Sequence, residues 1–337
     1  MSAVRTLVDL LAGRRAAATL APREWDGVIG VARAEAMLAT LACCVGEDDL
    51  PPSVAALFAD QRAAAEVARG QALWEAEMAR RALGSEGIEF VLLKGTAYAV
   101  AGLSCSDGRQ IGDLDILVLA LDIGRVENEL LEAGWEWVKP DAYDDHYYRE
   151  HMHELPPLIH KARDRMIDVH HTILPRTHRI TPDALALVSD AVPTPGGFAV
   201  LCPTDMACHC AAHMIADGDL QGGLRNLWDF HCLTRDFVAA DPGFWGKLDA
   251  RADLHGLRAP VRRAARLARD LYGSILPSGW DGHDPGDIWY RRRLLARDDW
   301  GRATNFPLQQ AFYIRSHWLR MPPMLLAQHL WTKWRKR

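Results

Sequence analysis

Two acidic residues, Asp113 and Asp115, stand two positions apart at the head of the apolar run Gly112-Asp113-Leu114-Asp115-Ile116-Leu117-Val118-Leu119-Ala120. Side chains on a β-strand alternate faces, so a strand here points both carboxylates the same way. Two anions held together on an apolar strand are costly unless a cation sits between them. All-oxygen ligation of that kind favours Mg²⁺ or Mn²⁺. Upstream, Leu92-Leu93-Lys94-Gly95-Thr96 reads as a strand, a Lys-Gly-Thr turn and a helix start. Gly95 would let a phosphate approach the backbone, Thr96 would open the helix, and Lys94 would add a point charge. Arg109 lies in the loop before the paired acids, in reach of a polyphosphate. Asp168 in Ile167-Asp168-Val169-His170 supplies a third carboxylate from a later strand, and His170 shares its face. Three converging acids beside a phosphate cradle suit metal-assisted phosphoryl or nucleotidyl transfer.

Four stretches of chain position these groups. Residues 1–84 read as a helical cap, with apolar residues at helical spacing from Val54 to Leu83 and a break at Pro51-Pro52. Residues 85–175 alternate short strands and helices. The strands are expected over Ile88–Leu93, Asp113–Ala120, Trp135–Val138, Pro156–His160 and Arg165–His170. A helix over Ile123–Ala133 is closed by Gly134. Residues 176–285 read as an all-helical companion, its helices opened at Thr181-Pro182 and capped by Thr204 up to Ile215. Further helices are expected over Gly223–Phe237 and Pro260–Tyr272. Residues 286–337 form a basic, Trp-rich tail.

The net charge of −5 gives no overall nucleic-acid footprint, so a polyanion must use a local patch. Seven cysteines without framework spacing, and no secretory leader read at the start, lead to the expectation of reduced thiols in the cytoplasm. No apolar run reaches the roughly 18 residues needed to cross a bilayer.

The order Leu93-Lys94-Gly95, Arg109, Gly112-Asp113-Leu114-Asp115-Ile116-Leu117-Val118 and Ile167-Asp168-Val169-His170 resembles the uncharacterised bacterial nucleotidyltransferase family of the polymerase-β superfamily. The likeness continues through Pro203-Thr204-Asp205, His209, His213, Leu227-Trp228-Asp229, Phe244-Trp245 and Leu248, covering about residues 75 to 260. It implies an α+β fold: a small mixed β-sheet nucleotidyltransferase core flanked by N-terminal helices and a C-terminal helical domain. It also implies that Asp113, Asp115 and Asp168 hold the catalytic metals, with Asp168 helping to deprotonate the attacking hydroxyl. Lys94, Gly95 and Thr96 would hold the triphosphate of an NTP such as ATP; by position alone, Arg109 and His170 are read at the nucleotide too, His170 in reach of phosphate, metal-bound water or the acceptor. Gly-Thr stands here where the wider superfamily has Gly-Ser or Gly-Gly.

Alternatives stay open at several positions. Asp168 could instead pair with Arg165, Arg109 could be a solvated loop residue, and Thr96 an N-cap. Cys208-His209-Cys210 with His213 permits a zinc reading, as in a hydrolase, although the spacing fits no standard zinc module and packing roles suffice. His213 and Asp229 could join the helical part to the cleft. The tail from Tyr313 to Arg337 carries Trp318, Trp331, Trp334, Arg315, Arg320, Lys333, Arg335, Lys336 and Arg337 around Met324-Leu325-Leu326. It could seat on an anionic membrane, contact RNA or pack on the protein. The acceptor is open among a small molecule, RNA and protein. A non-catalytic nucleotide- or partner-binding module on the same fold is the alternative to the enzyme.

Overall fold

The computed structural model describes residues 2–46, 50–84, 86–138, 142–324 and 326. Four helices come first: α1 (Ala3–Leu11), α2 (Pro22–Ala34), α3 (Leu38–Cys44) and α4 (Pro52–Gly84). Proline has no N–H to donate and a φ already suited to a first turn, so α4 begins on Pro52. It runs for 33 residues, about 50 Å at 1.5 Å per residue.

Seven strands follow: β1 (Val91–Leu92), β2 (Asp113–Leu117), β3 (Trp135–Trp137), β4 (Leu158–His160), β5 (Met166–His170), β6 (Val192–Pro193) and β7 (Ala199–Val200). Their spatial order is β3-β4-β5-β2-β1-β7-β6. The sheet is mixed. β1 is antiparallel to β2 and parallel to β7, whereas β2 and β5 are parallel neighbours with Asp115 opposite Asp168. Leu114, Ile116, Ile167 and Val169 are all buried, which commits Asp113, Asp115, Asp168 and His170 to the other face. A one-residue slip would put carboxylates into the core, so hydrophobicity holds the register.

Helix α5 (Lys94–Val100) follows β1, and α6 (Ile123–Glu132) and α7 (Ala142–His151) lie within the crossover from β2 to β5. Gly134 follows α6 with φ +102°, as the expected cap requires. Helix α4 packs on α5, α6 and β2. The C-terminal half supplies α8 (Ala184–Ser189), α9 (Pro203–Ala211), α10 (Gly223–Ala240), α11 (Phe244–Leu254), α12 (Arg258–Tyr272), α13 (Asp287–Leu294) and α14 (Phe306–Arg320). One hydrophobic core runs from Ala3 to Phe312. The first helices are also tied to the last: Arg297 Nε meets Glu35 at 2.8 Å, and Arg14 donates to the Leu271 carbonyl at 2.6 Å.

Several elements differ from the sequence expectation. The stretch past residue 175, read as all helical, contributes the β6–β7 hairpin to the sheet. Two-residue strands show no alternation, and only the free edge of β1 recruits them. Within Ile88–Leu93 just two residues pair, and the helix begins at Lys94 rather than Thr96. Asp183, not Thr181, caps α8 by accepting from the Ala186 N–H at 2.9 Å. Helix α9 starts on Pro203 after Cys202, so Thr204 lies inside it. It passes at Ala212 into a π-helical turn, Ala212–Asp217.

Of the tail, Leu325, Trp331, Lys333, Trp334, Arg335, Lys336 and Arg337 lie outside the described residues. Arg315 and Arg320 turn inward, donating to the Ile215 carbonyl at 2.6 Å and pairing with Asp217 at 2.7 Å. No described helix is long and apolar enough to cross a membrane.

Candidate metal and nucleotide site

Carboxylate oxygens of Asp113, Asp115 and Asp168 all lie within 4.8 Å of one another. Asp113 is exposed at the head of β2, Asp115 is buried, and Asp168 lies between these extremes. Arg165 donates to Gln71 at 2.6 Å, which leaves Asp168 free of that ion pair. The Asp168 Oδ1 atom is buried with no hydrogen-bond partner. A carboxylate oxygen in that state, facing two more carboxylates, fits a divalent cation bound by oxygen. Burial, then the charges of Glu154 and Asp115, push Asp168 up to about 7. Asp115 goes the other way. Burial opposes its ionisation, but Lys94 and the His170 hydrogen bond overcome that and hold it below the usual carboxylate range.

Lys94 combines an unusual backbone with a short ion pair. Its φ of +47° is left-handed, uncommon for a residue with a side chain, and its Nζ lies 2.6 Å from Asp115 Oδ1. Burial lowers the basicity of Lys94, yet Asp115 more than restores it, so the ammonium stays charged. Gly95 is needed for a close approach, although by Arg109: a Cβ there would sit 2.8 Å from Arg109 Nε. Thr96 is buried and its hydroxyl has no hydrogen-bond partner.

Arg109, expected at a polyphosphate, is half-buried and forms an ion pair with Asp229 of α10. Asp229 also accepts from Arg225 at 2.8 Å, and Arg225 donates onward to the Cys105 carbonyl at 2.7 Å and to Thr40. One carboxylate therefore locks α10 onto the loop that precedes β2.

His170, also expected at the nucleotide, is 1 % exposed, with Nε2 2.9 Å from Asp115 Oδ1. Its backbone bridges Glu154, which sets the Glu154 carboxylate 3.4 Å from His170 Nδ1. Sequence reasoning did not single out Glu154; a lone acid in a polar stretch has no periodicity to mark it. His209 and His213 line a cavity of about 60 Å³ with Lys94, Arg109 and Asp229. His213 sits on the π-helical turn, a distortion found often at functional sites, and reaches solvent there. The cysteines beside them do not join in. Burial pushes the Cys208 and Cys210 thiols up, and Cys210 donates to the Asn226 carbonyl at 3.2 Å. Among the described residues, the metal-capable groups are the three aspartates and a second group of His153, Glu154 and His170.

An α+β fold that presents three carboxylates from adjacent parallel strands has the parts of a metal-binding transferase. Comparison with protein families agrees: residues 21–273 match the family described as uncharacterised nucleotidyltransferase. The chain belongs to that family, which makes it a transferase and implies a nucleoside triphosphate substrate. The match begins in the N-terminal helices, well before the stretch from about residue 75 that carried the sequence resemblance. A search of curated proteins finds no match.

Proposed function

We propose that this chain transfers a nucleoside monophosphate from an NTP to an acceptor hydroxyl and releases pyrophosphate. The observation that carries the reading is the buried, unpartnered Asp168 Oδ1 beside Asp113 and Asp115. These three aspartates would hold Mg²⁺ or Mn²⁺, which when bound stabilises negative charge on the phosphates and on the attacking oxygen. The acceptor oxygen bonds the α-phosphorus while the bond to the bridging oxygen of the β-phosphate breaks. That bond's electron pair leaves with pyrophosphate, and the hydroxyl proton passes to Asp168. A carboxylate oxygen beside the attacking hydroxyl is placed to accept that proton. Lys94 keeps Asp115 ionised and adds positive charge beside the phosphates. Arg109 packs against Gly95 and, through its ion pair with Asp229, ties the turn to α10.

The Lys94–Asp115 pair favours the second reading, a nucleotide-binding module without catalysis. An internal ammonium can balance Asp115 where a metal would otherwise be required. Incubation with each α-labelled NTP, Mg²⁺ or Mn²⁺ and a cell extract separates the two. Label transferred by the wild type and not by Asp113→Ala/Asp115→Ala supports the enzyme. Nucleotide bound by both proteins without transfer by either supports the module and overturns the enzyme.

A further inference from the structure

Behind the three aspartates lies a second group of different chemistry: His153, Glu154 and His170, with one donor atom from each within 4.8 Å of the others. His170 Nδ1 is 3.4 Å from Glu154 Oε2, and His153 Nε2 is 3.7 Å from the same oxygen. A tetrahedral ion with bonds of about 2.0–2.1 Å separates its ligands by about 3.4 Å. The spacing is thus that of ligands around an ion rather than of side chains bonded to each other. His170 Nδ1 is buried and makes no hydrogen bond, and the same holds for His153 Nδ1.

The other side of His170 fixes which nitrogen carries the proton. Asp115 is an ionised acceptor, so His170 Nε2 donates to it at 2.9 Å, and Nδ1 is the nitrogen that faces Glu154. A carboxylate behind a histidine is the usual support of a metal-bound imidazole. The backbone is committed as well. The His171 N–H donates to the His153 carbonyl at 2.9 Å, and the Leu155 N–H to the Val169 carbonyl at 2.9 Å, which splints this segment onto β5.

We infer that His153, Glu154 and His170 form a binding site for a divalent transition metal of the Zn²⁺ type, with three protein ligands and a fourth position open. Two imidazoles and one carboxylate suit Zn²⁺ and discriminate against Mg²⁺, whereas the aspartate site has only oxygen to offer. Asp115 joins the two sites, facing the aspartate cluster and supporting His170. The inference stands apart from nucleotidyl transfer, since it rests on ligands that reaction does not require.

The test uses the full chain, stripped with a chelator and titrated with Co²⁺ followed by visible absorption, then with Zn²⁺ followed by metal analysis, all without nucleotide. With excess Mg²⁺ present to fill the aspartates, the expected result is one Co²⁺ per chain with the intense bands of four- or five-coordinate nitrogen and oxygen ligation, displaced by one Zn²⁺. His153→Gln and Glu154→Gln should each weaken Zn²⁺ binding by about 100-fold or more, with circular dichroism confirming that both fold. Asp113→Asn should leave the Co²⁺ spectrum unchanged. No stoichiometric Co²⁺ or Zn²⁺ in the folded wild type overturns the site. So does a spectrum that survives His153→Gln but is lost in Asp113→Asn, because the ion would then belong to the aspartates.

Discussion

Asp168 and Lys94 hold opposite halves of the same electrostatic problem. Asp168 is buried among carboxylates and pushed up to about 7, so below that pH a proton occupies the place a metal needs. Mn²⁺ affinity should therefore be full above about pH 7.5 and fall as pH drops through 7, by up to about tenfold per unit. Titration calorimetry at pH 6 and 8 reads this directly, and equal affinities would show that the ion does not use Asp168. Lys94 balances Asp115 from the other side. Lys94→Met should lower stability by about 2 kcal/mol, below the full cost of breaking a buried pair because Lys94 is partly solvated. Transfer should fall by about 100-fold or more. Adding Mn²⁺ should recover part of the melting temperature in the variant, since the ion supplies the missing charge.

The elements around the site leave little slack. Gly108 has φ +64°, and a Cβ there would sit 2.4 Å from the backbone of Ala39 in α3. Gly108→Ala should thus cost about 2 kcal/mol or more in thermal unfolding, and weaken Mn²⁺ binding by shifting the loop into β2. Further off, α10 carries His231, whose Nδ1 lies 2.7 Å from Ser274 Oγ. Burial, then Arg235, hold His231 down to about 4. Its unfolded value is about 6.5, so between those limits only the unfolded chain takes the proton. The contribution is complete above about pH 6.5 and is lost as pH falls toward 4. His231→Gln should therefore gain on the wild type in melting temperature between pH 7 and 4.5; a constant difference would mean that His231 does not titrate as the structure requires.

At the level of the whole fold, the N-terminal helices are bound into the body of the protein. Glu35, buried in α2–α3 surroundings, accepts from the Leu224 N–H at 3.2 Å and pairs with Arg297. Glu35→Ala strands Arg297 and a helix N–H. It should cost about 3 kcal/mol and appear in calorimetry as one transition moved to lower temperature. Two separated transitions would show that residues 1–84 unfold as an independent cap.

Period and punctuation made much of this legible in the chain. Asp113-x-Asp115 and Asp168-x-His170 could be assigned to strand faces because alternation is local, and burial of Leu114, Ile116, Ile167 and Val169 enforces it. Helix α4 and the Gly134 cap follow from equally local patterns, whereas the parallel pairing that sets Asp168 opposite Asp115 is tertiary. Partners across the fold were not legible. Arg109 and Asp229 are 120 positions apart, and nothing in either neighbourhood marks the other. Glu154 acquires its place only when the chain before β5 returns to bridge His170. Lys94 meets Asp115, 21 positions away, only because β1 and β2 lie side by side. Sequence spacing dictates which face of its own strand or helix a side chain occupies, whereas the charge that ends up opposite it depends on packing between segments far apart in the chain.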